Sequence, residues 1–285
     1  MSSAPEISPR LYRAGDGEPL VLIHGFTATW RCWSPILADL VPRFEVIAPT
    51  LHGHDGGPPA PDGGAHSVSE GADHFEALLD ELGVGTAHFA GNSLGGALAL
   101  EMAKRGRARS AVAISPGGGW EEHDTAEPAR IVKWFTFNQK LARASAPRMP
   151  AIVRFPRLRR IAFRDVMTRG DQMSVEEAVA LARSSIRCSV VDEVFDTIRT
   201  GSARLVGLET IACPTMVVWG ARDRILPLKT HGDRFRREIP GVDFRVIPGI
   251  GHTPMWDAPG LIASLIADFA TAAEQRQAAA APASA

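Results

Sequence analysis

A serine between two glycines, a histidine on a glycine-rich loop and an aspartate just past an apolar run are the residues of this sequence whose types and spacing could do chemistry. The serine lies in Gly91-Asn92-Ser93-Leu94-Gly95-Gly96, after the short apolar run Thr86–Ala90 and before the helix-forming Ala97–Arg105. That order predicts a strand, a sharp turn and a helix. Gly91 and Gly95 lack the Cβ atoms that would crowd the turn, leaving the Ser93 hydroxyl exposed at a helix N-terminus. A serine hydroxyl is a weak nucleophile at neutral pH, so it needs a histidine base and an acid to orient that base. Both follow in the chain. Pro214–Gly220 reads as a buried strand emptying into Ala221–Pro227, which offers Asp223. Phe244–Ile247 reads as another strand, and the loop Pro248–Pro254 after it carries His252. In a parallel sheet, loops at the carboxyl ends of strands share one rim, where residues far apart in sequence can meet.

With His24-Gly25-Phe26 ahead of the Ser93 turn and Gly251-His252-Thr253-Pro254 near the end, four motifs stand in one order. In that order the chain resembles the α/β-hydrolase superfamily, in its serine-nucleophile branch with a helical cap, over roughly residues 10 to 272. The resemblance implies that Ser93 is the nucleophile, Asp223 the acid and His252 the base. It also implies an oxyanion hole formed by the backbone N–H groups of Phe26 and Leu94. No cofactor is implied.

Each assignment has a plainer rival. His24, at the end of the apolar run Leu20–Ile23, fits a brace for the oxyanion loop better than a reacting group. Asp223 competes with a turn role beside Arg222 and Arg224, and with Glu121 or Glu122, which follow the apolar run Ala111–Ile114. His52-Gly53-His54-Asp55 has the start of a zinc site, but no second cluster supplies the three or four ligands a metal needs, so no metal is expected. His66, His74, His88, His123 and His231 read as surface or packing residues. Three cysteines, Cys32, Cys188 and Cys213, show no C-x-x-C spacing, so no disulfide is expected.

The elements that must position these groups alternate between strands and helices, which predicts a mainly parallel central sheet with helices on both faces. A short strand is expected around Ile7–Tyr12, then a strand at Leu20–Ile23, a helix at Ser34–Leu40 and a strand at Phe44–Ala48. A helix over Ser67–Glu81 follows, with Ser67 and Glu70 spaced as a capping box. Leu261–Thr271 reads as an apolar helix. The expected organisation is an α/β-hydrolase core at 1–118 and 206–272, a helical cap inserted at 119–205, and a mobile tail at 273–285.

The inserted segment has helical patterns, no convincing strand, and a bulky apolar group that includes Trp120, Trp134, Phe135, Phe137, Met149 and Ile152. Trp120, Trp134 and Phe137, with Trp256 from the segment after His252, are the expected substrate-pocket residues. From Lys140 to Arg169 the same segment is basic, with Asp165 its only acid. A solvated, salt-bridged face is the common outcome of such a run, and an anionic substrate group or a membrane-surface contact are its alternatives.

A chain of 285 residues with 45% hydrophobic content can bury a full core, and a net charge of −1 gives no reason to expect nucleic acid. No apolar stretch is long enough to span a membrane, and Met1–Glu6 does not read as a secretory signal, which makes the cytoplasm the expected location. Assembly into a homo-oligomer is left open. The expected chemistry is hydrolysis of a carboxylic ester, or a related acyl bond of an apolar small molecule, through an acyl-enzyme. A C–C bond hydrolase of the meta-cleavage-product type, a lactonase or a cofactor-free perhydrolase would use the same triad. A ligand-binding receptor that kept the fold is the non-enzymatic alternative.

Overall fold

The computed structural model describes residues 5–280 apart from 63, 65 and 66. His66 and the last five residues of the expected tail therefore lie outside the described residues. Eight strands form one sheet: β1 (Glu6–Ile7), β2 (Leu11–Ala14), β3 (Glu18–Ile23), β4 (Phe44–Pro49), β5 (Ala87–Asn92), β6 (Ala108–Ile114), β7 (Thr215–Gly220) and β8 (Asp243–Ile247). Their order is β1-β2-β4-β3-β5-β6-β7-β8. The β1–β2 and β2–β4 pairs are antiparallel and every later pair is parallel. The expected first strand is a two-strand hairpin, because Ser8 caps a tight turn with its hydroxyl accepting from the Leu11 N–H at 3.1 Å.

The parallel strands are apolar at successive positions because both of their faces are covered. Leu20 and Leu22 of β3 pack with α1 (Ser34–Leu40) and the long C-terminal helix, whereas Val21 and Ile23 face the opposite layer. That layer holds α2 (Val68–Glu81) and α3 (Leu94–Lys104). The Ser67 hydroxyl starts α2 by accepting the Glu70 N–H at 3.1 Å.

Between β6 and β7 the described chain is helical: α4 (Ala126–Ser145), α5 (Met149–Val153), α6 (Pro156–Ala162), α7 (Val175–Arg187) and α8 (Val191–Thr200). Part of this segment has a small core of its own, in which Val153, Phe163, Met167, Met173 and Ala178 are buried together. Helices α9 (Leu228–Glu238), α10 (Pro254–Asp257) and α11 (Pro259–Ala280) complete the fold.

Of the segment 273–285 expected as a mobile tail, the described part is helical, since α11 runs on to Ala280. Ala273 is fully buried, the Gln277 amide donates to the Arg109 carbonyl at 3.1 Å, and Glu274 lies 3.0 Å from His88 Nε2. His88 is itself buried and takes Ser110 Oγ at 2.8 Å on its other nitrogen. Burial lowers its pKa, with Glu274 opposing. The alanine-rich sequence hid this, because its anchors are single polar residues rather than an apolar stripe.

Glu127 joins the inserted helices to the core. Its buried carboxylate is 2.8 Å from His231 Nε2 on α9 and takes the Arg130 Nε–H at 2.8 Å. Burial alone would raise its pKa, but hydrogen bonds from Arg130 and His231 outweigh that and bring it from 4.5 to about 2. A depressed carboxyl pKa stabilises the fold above the unfolded value and loses that contribution as pH falls through the folded value. Glu127→Gln should therefore lower the melting temperature most above about pH 5, with the gap from wild type closing between pH 4.5 and 2. A gap independent of pH in thermal melts would contradict this.

Candidate functional site

Ser93 sits between β5 and α3 with φ 59° and ψ −116°, outside the regions an ordinary residue prefers. Two glycines make this turn possible. A Cβ on Gly91 would stand 1.9 Å from the Gly95 carbonyl oxygen, and one on Gly95 would stand 2.0 Å from the Ile23 carbonyl oxygen. Backbone bonds hold the turn, with Ser93 N–H donating to Ile114 at 2.9 Å, and Gly117 and Ala97 N–H donating to the Ser93 carbonyl at 3.0 Å each.

Asp223 and His252 arrive from the neighbouring strands. The turn after β7 is closed by Asp223 N–H to the Gly220 carbonyl at 3.0 Å and by the buried Trp219 indole donating to the Leu226 carbonyl at 2.9 Å. It is tied to the loop after β8 by Arg222 N–H to the Ile250 carbonyl at 2.9 Å. Asp223 Oδ1 accepts the N–H groups of Ile225 and Leu226 at 3.0 and 2.8 Å. Oδ2 remains, and it meets His252 Nδ1 at 2.7 Å with both side chains buried. A carboxylate there fixes the tautomer with the proton on Nδ1 and leaves Nε2 basic. Ser93 and His252 line one cavity, and among the described residues no hydrogen bond joins the Ser93 hydroxyl to Nε2. Such bonds commonly tighten only around substrate.

The rival acids lie elsewhere. Glu121 is exposed and bonds Arg237 at 2.7 Å, and Glu122 is exposed 3.9 Å from Arg204. His24 is fully buried with both nitrogens occupied, Nδ1 donating to the Gly25 carbonyl at 2.8 Å and Nε2 accepting the Leu51 N–H at 2.9 Å. Burial, with His54 beside it, holds its pKa well below the ordinary histidine value. It braces the loop that carries Phe26. Gly25 in that loop lies against Ser93, where an added Cβ would stand 3.3 Å from the Ser93 Cβ. Among the described residues, no acceptor meets the backbone N–H of Phe26 or of Leu94. His54, pushed down to about 4 by burial, donates through Nδ1 to the His52 carbonyl at 2.9 Å, and no metal cluster occurs among the described residues.

Two positioning residues escaped the sequence reading. Asn92, beside the serine, donates from Nδ2 to the carbonyls of Ile114 and His252 at 3.1 and 2.9 Å, tying the turn to the histidine loop. Asp257 on α10 accepts the N–H groups of Gly251, Thr168 and Arg169, each at 2.8 Å. That carboxylate clamps the His252 loop to the inserted helices. An asparagine inside a strand and an aspartate in a four-residue helix carry no spacing signal, so only the fold reveals them.

Two apolar cavities meet at Ser93, of about 340 and 170 Å³. Trp134, Met149, Leu181 and Trp256 line the larger with Asn92 and His252. Trp120, His54, Phe75 and Leu94 line the smaller, and Phe26, Phe135 and Ile225 stand between the two. Among the described residues, neither lining contains a lysine or arginine. Trp120, Trp134 and Trp256 thus line one or other of these two cavities, but Phe137 lines neither. Along α4, Trp134, Asn138, Leu141 and Ser145 border the larger cavity at helical spacing, which leaves Phe137 outside that stripe and 65% exposed.

Known proteins place this arrangement in a family. Residues 20–265 match the alpha/beta hydrolase family. Over 202 residues, 70% of this chain and 92% of the relative, the sequence is 35% identical to the protein named Epoxide hydrolase EphH of Mycobacterium tuberculosis. It is 24% identical over 257 residues to a 2-hydroxy-6-oxononadienedioate/2-hydroxy-6-oxononatrienedioate hydrolase of Cupriavidus pinatubonensis, covering 88% of this chain and 86% of that one. A thermophilic esterase from Thermogutta terrifontis, solved with malate bound, shares the fold with a TM-score of 0.66 at 21% identity, over 95% of this chain and 99% of that one. As the family match spans the Ser93 turn and both rim loops, the chain belongs to the alpha/beta hydrolase family.

Proposed function

We propose that this family member is a serine hydrolase cleaving a carboxylic ester of an uncharged, apolar small molecule through an acyl-enzyme. The observation that carries this reading is the convergence of Ser93, in its strained turn, with the His252–Asp223 pair at one apolar cavity. His252 Nε2 takes the Ser93 proton as the hydroxyl attacks the ester carbonyl. Asp223 holds the imidazole and stabilises its charged form. The Phe26 and Leu94 N–H groups receive the oxyanion, and His252 then passes its proton to the departing alcohol. Water, activated by the same imidazole, releases the acid. In this reading the inserted helices are a cap, and the two cavities hold the groups on either side of the reacting carbonyl.

Two other readings come from the relatives. An epoxide hydrolase of this fold uses an aspartate nucleophile, and the turn here presents Ser93, whose alkyl adduct with an opened epoxide would be an ether that water does not release. A dioate substrate, such as the Cupriavidus relative's name describes, brings two carboxylates. The absence of a described lysine or arginine from the cavity linings favours the neutral ester.

If Asp223 orients His252, Asp223→Asn should lower kcat on a p-nitrophenyl ester by roughly 10²- to 10⁴-fold with the fold intact. Glu121→Gln and Glu122→Gln should be nearly silent in the same assay, and the reverse pattern would move the acid. Trp134→Ala removes apolar contact worth about 1–3 kcal/mol from the larger cavity, so it should lower kcat/KM for a long ester more than for a short one. Phe137→Ala should leave that ratio unchanged, and an unchanged ratio for Trp134→Ala would remove Trp134 from the substrate's path.

A further inference from the structure

The outer side of the inserted helices combines two features that a surface facing only water does not need. Nine large hydrophobic residues of the described chain are exposed, and five of them fall between residues 137 and 161. These are Phe137 and Leu141 on α4, and Phe155, Leu158 and Ile161 at α6, between 42% and 65% exposed. The segment from 128 to 164 also holds ten lysines and arginines and no aspartate or glutamate. The salt-bridged face expected of such a run is not what forms. Arg164 lies 3.8 Å from Asp165, but exposed Lys140, Arg143, Arg148, Arg154, Arg157 and Arg160 have no ion-pair partner among the described residues.

The exposed groups do not come from a frayed segment. Phe155, Leu158 and Ile161 recur every third residue, while Val153, Arg159 and Phe163 turn inward. The buried Arg159 guanidinium donates to the carbonyls of Val153 and Asp171 at 2.6 and 3.0 Å, pinning α6 from inside. Arg154 lies 5.2 Å over the Phe155 ring, so cation and aromatic present one surface. The patch also borders the larger cavity: Leu141 and Ala162, both exposed, line the space that reaches Ser93 and His252.

We propose that this face of α4–α6 docks on an anionic lipid bilayer, and that the cavity at Ser93 opens toward it and takes lipophilic esters from the membrane. Unpaired cations around an apolar band complement lipid phosphates and carboxylates above an acyl interior. A second copy docking by the same face would set arginines against arginines. A nucleic acid would match the cations but leave Leu158 and Ile161 without an apolar partner. Docking stands independently of the catalytic reading, whereas substrate entry rests on the ester-hydrolase assignment of Ser93.

The test is co-sedimentation of the Ser93→Ala protein with phosphatidylcholine vesicles, with and without about one third phosphatidylserine, and with salt raised to about 1 M. The expected result is binding to the anionic vesicles, weakened roughly tenfold or more by salt, by Arg154→Glu/Arg157→Glu/Arg160→Glu, and by Phe155→Ser/Leu158→Ser/Ile161→Ser. With Ser93 intact, both triple variants should keep wild-type turnover of a water-soluble short ester, which also shows that they fold. If a triple variant loses that turnover, Arg157→Glu and Phe155→Ser singly carry the comparison. Absent or equal binding to both vesicle types, loss of self-association in place of lipid binding, or capture of a DNA duplex in its stead overturns the docking. Vesicle binding by a wild-type protein inert on every ester would keep the docking and remove the catalytic reading.

Discussion

Ser93 occupies a backbone conformation that costs on the order of 1–3 kcal/mol, and the site depends on that cost being met. The turn exists because Gly91, Gly95 and the Ile23 carbonyl approach more closely than any side chain would allow, so β3, β5 and α3 meet at one point. The same approach brings Gly25, and with it the Phe26 N–H, against the serine. Asn92 then carries the constraint outward, since its amide fixes the His252 carbonyl while the imidazole is fixed by Asp223. A side chain added at Gly91 or Gly95 would therefore disturb the placement of the whole constellation.

What was legible in the sequence follows from this constraint. A turn that excludes Cβ atoms leaves glycines at fixed offsets, and a parallel sheet places its functional loops after strands, so Ser93, Asp223 and His252 could be named with their elements. The pairing of His252 with Asp223 rather than Glu121 was open in the sequence and is decided by geometry, because Arg237 holds Glu121 at the surface. Asn92, Asp257 and Arg159 act through single side-chain contacts to distant backbone, which leave no periodicity to read. Phe137 was misplaced for a related reason. About one-sixth of a turn separates cavity-lining Trp134 from solvent-facing Phe137 around α4, and an aromatic cluster in a sequence does not fix that phase.

The inserted helices follow different rules from the sheet. Glu127 and Asp257 join them to the core through buried carboxylates, one held by His231 and Arg130, the other by three backbone N–H groups next to the histidine loop. These anchors set where the cavity walls stand relative to Ser93, while the outward side chains of α6 are free to serve a separate surface.

The most direct test of the central claim is the intact mass of the protein after reaction with an uncharged alkyl fluorophosphonate, followed by peptide mapping. A single adduct on the peptide containing Ser93, abolished in Ser93→Ala and strongly slowed in His252→Ala, is the predicted result. Labelling at another residue, or an adduct that forms equally well without His252, would contradict the account.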